Sequence, residues 1–207
     1  IIIYSKLYSK LFKNREKGRI KYQYIDSSFI ANKNGKFKHN GKRTIGRNKF
    51  YKNKNGIKLS IICDSLGVPN SVVFKPGNVN DSVIGLQNLN KLYTIAKNYN
   101  PKKKSIIMGD KGYDTIKFRK TCKEFNLIPL IDYNKRNTKD KYKIKKLSKK
   151  EINLYKKRIT VENCFSWLKQ NKRIDQILDK NISTFQNFVY LGMCKLISNL
   201  FYTDSRN

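Results

Sequence analysis

The sequence predicts an α/β fold: a mixed five-stranded sheet, three antiparallel strands followed by parallel α/β units, flanked by helices. Three observations carry that expectation. Apolar runs in the first third are rich in aromatic and β-branched residues and are separated by Gly and Pro turns. In the middle, short apolar runs alternate with segments of helical period. The last third is helical nearly throughout and opens on a capping box, Ser148-x-x-Glu151.

Residues 1–20 set Leu7, Leu11 and Phe12 among Lys and Arg and read as the end of a helix. Lys21-Tyr22-Gln23-Tyr24-Ile25-Asp26 reads as a first strand ending at its acid. Residues 31–56 are basic, rich in Gly and Asn and without a steady period, so they read as loop. Residues 57–64 and 71–75 form the second and third strands around a turn at Ser65-Leu66-Gly67. After Pro76-Gly77, Asn80 or Asp81 caps a helix reaching about residue 98, with Ile84, Leu86, Leu89, Leu92 and Ile95 as its apolar members. A Lys triplet, 102–104, leads into a fourth strand, 105–110, which again ends in an acid, Asp110. A helix over 114–125 and a fifth strand over 127–132 follow, with Pro129 favouring a sheet edge. Beyond a Lys- and Asn-rich loop at 133–147, one long helix starts at Ser148 and a last one runs over 184–201.

Composition narrows the partner. There are 46 Lys and Arg against 14 Asp and Glu in 207 residues, a formal charge of +32. Nucleic acid is the commonest polyanion able to screen such a charge. A membrane surface fits less well, because the charge is spread along the chain and no apolar run approaches the roughly 20 residues of a span. Hydrophobic residues at 39% argue against disorder in the middle of the chain. Cys63, Cys122, Cys164 and Cys194 form no C-x-x-C pair and His39 is the sole histidine, so zinc has poor prospects. The cysteines read as buried, reduced thiols. There is no signal-peptide pattern, and a start at Ile1-Ile2-Ile3 rather than Met reads as a fragment.

Chemistry concentrates in the long helix. Tyr155, Arg158, Glu162 and Lys169 are spaced three, four and seven apart, which at roughly 100° per residue sets all four on one narrow stripe. Taken alone, that stripe reads as a solvated face of i,i+3 and i,i+4 pairs. Asp26 and Asp110 change the balance. Each ends an apolar strand, where a plain turn aspartate is the competing reading. A mixed sheet can set those strand ends side by side, and Glu162 on a helix above them would complete three convergent carboxylates. Hard divalent cations take such oxygen ligands, and two ions suit in-line phosphoryl displacement.

These residues resemble the insertion-sequence transposases of the DDE class, whose catalytic domain has the RNase H-like fold. Tyr155, Arg158, Glu162 and Lys169 fill the family's Y-x2-R-x3-E-x6-K signature at every fixed position. Asp26 in Ile25-Asp26-Ser27-Ser28 resembles the first catalytic aspartate, and Asp110 in Gly109-Asp110-Lys111-Gly112-Tyr113-Asp114 the second. Further similarity runs through Gly46-Arg47, Asp64-x-x-Gly67-x-Pro69, Pro76-Gly77-Asn78-x-x-Asp81-Ser82 and the stretch from Trp167 to Ile174, covering about residues 24–200. The family's N-terminal helical DNA-binding segment would have only residues 1–20 in which to leave a remnant, with 21–203 as the DDE catalytic domain.

The resemblance implies metal-dependent cleavage and strand transfer of transposon ends, with Asp26, Asp110 and Glu162 as catalytic metal ligands. It implies Mg²⁺ or Mn²⁺, two ions, and DNA as partner, both terminal inverted repeats and target. It further implies a homodimer on paired DNA ends and no membrane. The location it implies is intracellular with the DNA: the cytoplasm of a bacterium, otherwise a nucleus or viral factory. Arg158, Lys169, Lys172 and Arg173 are expected on DNA phosphates, and Tyr155 either bonds a phosphate or packs. Asp114 and Asp81 are expected as helix caps and Asp64 as a turn residue. Trp167, off the stripe, is expected to pack rather than stack on a base. His39 is expected in a loop that contacts DNA at most, and the Lys-rich loops at 31–56 and 133–147 lie along phosphates or in solvent. A simple nuclease of the same fold and a truncated or domesticated DNA-binding remnant are the competing functions.

Overall fold

The first strand, β1 (Tyr22–Asn32), passes straight through Asp26 instead of ending there. Its continuation is dictated by its partner: β5 (Lys54–Asp64) pairs with it antiparallel from Gln23↔Asp64 to Ala31↔Gly56. The expectation of a strand-end aspartate is therefore corrected. The sequence cue failed because Ser27 and Ser28 interrupt the apolar pattern while the ladder of backbone bonds does not. The computed structural model describes residues 21–95, 104–134 and 147–204, together with Lys6. The expectations for residues 1–20, for the first long helix beyond residue 95 and for most of the Lys triplet and the 133–147 loop lie outside the described residues.

Short elements interrupt the stretch expected as loop. A two-residue hairpin, β2 (Lys38–His39) with β3 (Lys42–Arg43), precedes β4 (Gly46–Asn48), which pairs with the start of β5. Strands of two or three residues are too short to print a period on the sequence. The Asp64 turn is as expected: its Oδ1 accepts from the amides of Leu66 (2.9 Å) and Val68 (3.0 Å), and Gly67 takes the positive φ of 78°. It delivers the chain to β6 (Pro69–Pro76), antiparallel to β5. On the other side, β7 (Ser105–Gly109) lies parallel to β1 and β8 (Leu127–Ile131) parallel to β7, so β8, with Pro129, forms an edge. The five expected strands thus stand in the order β6-β5-β1-β7-β8; β4 and the short β9 (Gln176–Ile177) extend the sheet to seven strands.

Helices cover both faces. α1 (Asp81–Ile95) and α2 (Ile116–Glu124) pack against Ile25, Ile62 and Ile107 through Leu89, Phe118 and Cys122. α3 (Lys149–Tyr155), α4 (Ile159–Lys169) and α5 (Ile182–Asp204) cover the opposite face, where Val161, Phe165, Leu168, Phe185 and Val189 meet Tyr24, Ile61 and Met108. The capping box at Ser148 forms as expected, with Glu151 returning a 2.8 Å bond to the Ser148 amide. The helix it opens is not continuous: residues Lys156–Arg158 tighten into a 3₁₀ turn between α3 and α4. α2 starts later than expected because Thr115, not Asp114, caps it. Cys63, Cys122 and Cys164 are buried free thiols and Cys194 is half-buried. Among the described residues no helix is long and apolar enough to cross a membrane.

The seat of α4 on the sheet rests on a few apolar side chains, and Leu168 is fully buried there. Leu168→Ala is expected to lower stability by about 2–5 kcal/mol, read as a lower urea midpoint with an unchanged m value. A midpoint within error of the parent would show that α4 does not depend on that contact.

Candidate active site

The parallel register levels the acids. Tyr24 pairs with Met108, and Met108 with Leu130. Side chains alternate along a strand, so two residues further on Asp26, Asp110 and Asp132 come level on the face covered by α3 and α4. β7 stops at Gly109, and the sheet opens there beside β1, the position at which open α/β sheets place ligands. Asp26 is thus mid-strand yet at the mouth of the crevice. Its Oδ1 accepts from the Ser27 amide at 2.8 Å. Asp110 caps a 3₁₀ turn, Lys111–Tyr113, through a 2.7 Å bond from the Gly112 amide. A Cβ on Gly112 would lie 2.8 Å from that carboxylate oxygen, which is why glycine stands there.

The helical stripe faces this mouth. In the 3₁₀ turn, residues three apart nearly eclipse, and the Arg158 guanidinium lies over the Tyr155 ring, 5.9 Å from its centroid. The Tyr155 hydroxyl donates to the Gly109 carbonyl at 3.0 Å, tying the helix to the residue before Asp110. Arg158 reaches Asp26 at 3.4 Å with one nitrogen and donates to Glu162 at 3.0 Å with another. Lys169 donates to the Ser28 hydroxyl at 2.7 Å, two residues along β1 from Asp26. Its ammonium pKa is lowered by burial, against the opposing field of Asp175. Tyr155, Arg158 and Lys169 therefore engage the sheet or its acids, and Glu162 is joined to them through Arg158. The plain solvated face is excluded for Tyr155 and Arg158, while the Glu162 side chain stays 46% exposed.

Burial pushes the Asp26 carboxyl up to about 6 from an ordinary 3.8, against its bond from the Ser27 amide and the field of Arg158; the fields of Asp110 and Glu162 push it further up. Asp26 thus senses two other carboxylates, with one guanidinium between it and Glu162. Even so, no group of three His, Cys, Asp or Glu stands close enough to hold a metal ion among the described residues. Glu162 and Asp26 each meet Arg158, and Asp110 accepts from the Gly112 amide of its own loop. The donor set is nonetheless the oxygen-rich, under-neutralised kind that suits a hard divalent cation.

The remaining expected residues fall elsewhere. Arg173 places its guanidinium 4.9 Å from the Phe188 ring centroid and 3.5 Å from Asp179, and Lys172 beside it is exposed; neither is brought to the acids. Asp114 is not a cap: it pairs with Arg119 at 2.7 Å and accepts from the Asn134 amide. Asp81, at the start of α1, accepts from the Ser27 hydroxyl and pairs with Lys58 at 2.9 Å. Trp167 does not pack inward; it is 52% exposed, on the side of α4 away from the sheet. The backbone of His39 lies in β2. One further acid stands near the mouth. Asp132 follows β8, lies 3.8 Å from Lys111 and adds its field, after that of Asp110, to the Tyr155 phenol, which is raised chiefly by burial. Its signal was the same as that of Asp110, an acid closing a short apolar strand.

A family model for the transposase DDE domain matches residues 20–199, and the chain belongs to that family. Among solved structures, a chain of the piggyBac transposase synaptic complex with hairpin DNA is 11% identical and superposes with a TM-score of 0.60. The match covers 89% of this chain and 47% of that one, so this chain spans about half its length. The catalytic domain of Mos1 mariner transposase is 13% identical over 95% of this chain and 87% of its own, with a TM-score of 0.46. The likeness is one of fold, the RNase H-like fold. No curated protein sequence matches.

A carboxyl whose folded pKa lies above its unfolded one favours the folded state only when protonated. For Asp26 that contribution is complete below the ordinary 3.8 and is lost as pH rises through about 6. Asp26→Asn, which stays neutral, is expected to raise the thermal midpoint of the metal-free protein more at pH 8 than at pH 4, by up to about 2 kcal/mol of added stability. An equal or smaller gain at pH 8 would mean that the charge on Asp26 costs the fold nothing.

Proposed function

We propose that this chain is the catalytic core of a DNA transposase, cutting and joining transposon ends with divalent metal ions. The observation that carries the reading is Asp26 and Glu162 on a single guanidinium, with the field of Asp110 reaching Asp26, in a chain of the DDE family with a formal charge of +32. Residues 21–203 make up the catalytic domain in this reading. DNA is the partner, as terminal inverted repeats and as target, and two copies of the chain would pair two ends. Its place is inside the cell, with the DNA.

Asp26, Asp110 and Glu162 would hold Mg²⁺ or Mn²⁺, two ions. Bound there, the ions would activate an attacking water or hydroxyl and stabilise the leaving oxygen. The rest falls to the chain itself. Arg158, on the turn before Glu162, offers a planar fork to a phosphate, and Lys169, two turns after it, a point charge. Tyr155 positions rather than reacts, since its hydroxyl is spent on the Gly109 carbonyl. Lys172 and Arg173 extend the basic surface beyond α4.

A second reading has one observation in its favour. The acids, as described, form no ready metal group, which suits a DNA-binding remnant without turnover. A simple nuclease would cleave without joining. Incubation with DNA carrying the element's ends, with Mn²⁺ or Mg²⁺, separates the three. The transposase reading expects both nicked and joined products, reduced at least about 100-fold by Glu162→Gln with DNA binding retained. Binding without metal-dependent products would establish the remnant, and cleavage without joining the nuclease.

A further inference from the structure

Between Asp26 and Asp64 the sequence holds ten Lys and Arg and not one Asp or Glu. The β4–β5 hairpin projects from this stretch, and its tip is built rather than loose. Asn48 accepts from the Phe50 amide at 3.0 Å and donates to the Gly77 carbonyl at 2.9 Å. Arg47 Nε donates to the Asn53 carbonyl at 3.2 Å across the turn. Tyr51 stacks on Phe29 of β1, with centroids 4.7 Å apart and planes 23° from parallel. Phe29 is in turn seated on glycines: a Cβ at Gly56 or Gly77 would come within 2.5 or 2.6 Å of its ring.

On this rigid seat Phe50 is 94% exposed, between the exposed Lys49 and Lys52, with Lys54 just beyond. A large apolar ring held out into water has no value to the fold. Cations on both sides make an acidic or apolar protein surface a poorer match than a polyanion whose bases present flat apolar faces. Phe29 lies three residues from Asp26 along β1, about 10 Å at strand rise and facing the other side of the sheet, so the tip borders the same strand that carries Asp26 without entering the cluster of acids.

We propose that the β4–β5 tip is a base-stacking element for DNA: Lys49, Lys52 and Lys54 contact phosphates while Phe50 stacks on a base exposed where the duplex is opened. The proposal rests on the DNA-acting function above and adds the state of the DNA that is recognised. Aromatic stacking on a nucleic-acid base is worth enough to be measured, and it tolerates sequence because every base has a π-face.

The test compares two DNAs of equal length, a fully paired duplex and a forked duplex with unpaired arms, by equilibrium binding without divalent metal. The parent chain is expected to prefer the fork by roughly 5- to 150-fold, the range for one stacked base. Phe50→Ala is expected to abolish the preference while leaving duplex affinity and salt slope unchanged, and Phe50→Trp to keep it. Replacing Lys49, Lys52 and Lys54 together by Ala should weaken both DNAs alike and flatten the salt slope by about three. If Phe50→Ala keeps the preference, or changes only self-association, the stacking role is wrong and the DNA-acting function stands. If the parent binds neither DNA, that function itself fails.

Discussion

Arg158 touches Asp26 with one nitrogen and Glu162 with another, and the arrangement of the helical layer around the acids follows from that bridge. A carboxylate drawn into the sheet needs a counter-charge, and a helix must bring it. The capping box at Ser148 fixes where the helix begins. The 3₁₀ turn at Lys156–Arg158 then brings the guanidinium over Tyr155. Tyr155 binds the Gly109 carbonyl and Lys169 binds Ser28, so the helical segment is pinned to β7 and to β1 on either side of the acids.

The other face of the sheet holds the same place. Ser27, pointing away from α4, donates to Asp81 at the start of α1, and Asp81 pairs with Lys58 of β5. The β1 backbone beside Asp26 is therefore clamped from below by α1 and from above by the α3–α4 stripe. Few side chains separate the two clamps, and both act on consecutive residues of one strand. This explains how a half-exposed acid such as Glu162 and a mostly buried one such as Asp26 keep a fixed relation across different elements.

Much of this was legible in the sequence, and the failures have physical causes. Five strands and the stripe were readable because both depend on periods, two and 3.6, that the residues print directly. Asp26 stands at the mouth because its neighbour β7 stops at Gly109, and a sequence reports its own strand, not the length of its partner. Spacing puts Arg158 on the stripe but cannot show that its guanidinium meets Asp26 and Glu162. The β4–β5 tip was invisible because its strands are too short to show alternation. Asp81 passed as a cap because position at a helix start is the only local cue, while its partners Ser27 and Lys58 are distant in sequence.

The way acids are used separates site from scaffold. Asp64 closes a turn, Asp81 joins α1 to the sheet, Asp114 pairs with Arg119, Glu151 completes a cap and Asp179 meets Arg173. Each of these is placed where negative charge serves the fold. Asp26 is not: burial and two neighbouring carboxylates raise its pKa, and one guanidinium shared with Glu162 offsets them only partly. A fold selected for stability alone would replace such a group, since a buried charge with incomplete compensation costs more than a neutral isostere. In a chain so rich in cations, a further Lys or Arg could have neutralised the cluster. At this mouth of the sheet Arg158, shared between Asp26 and Glu162, is the cation the fold supplies, and burial with two neighbouring carboxylates still holds the Asp26 carboxyl up.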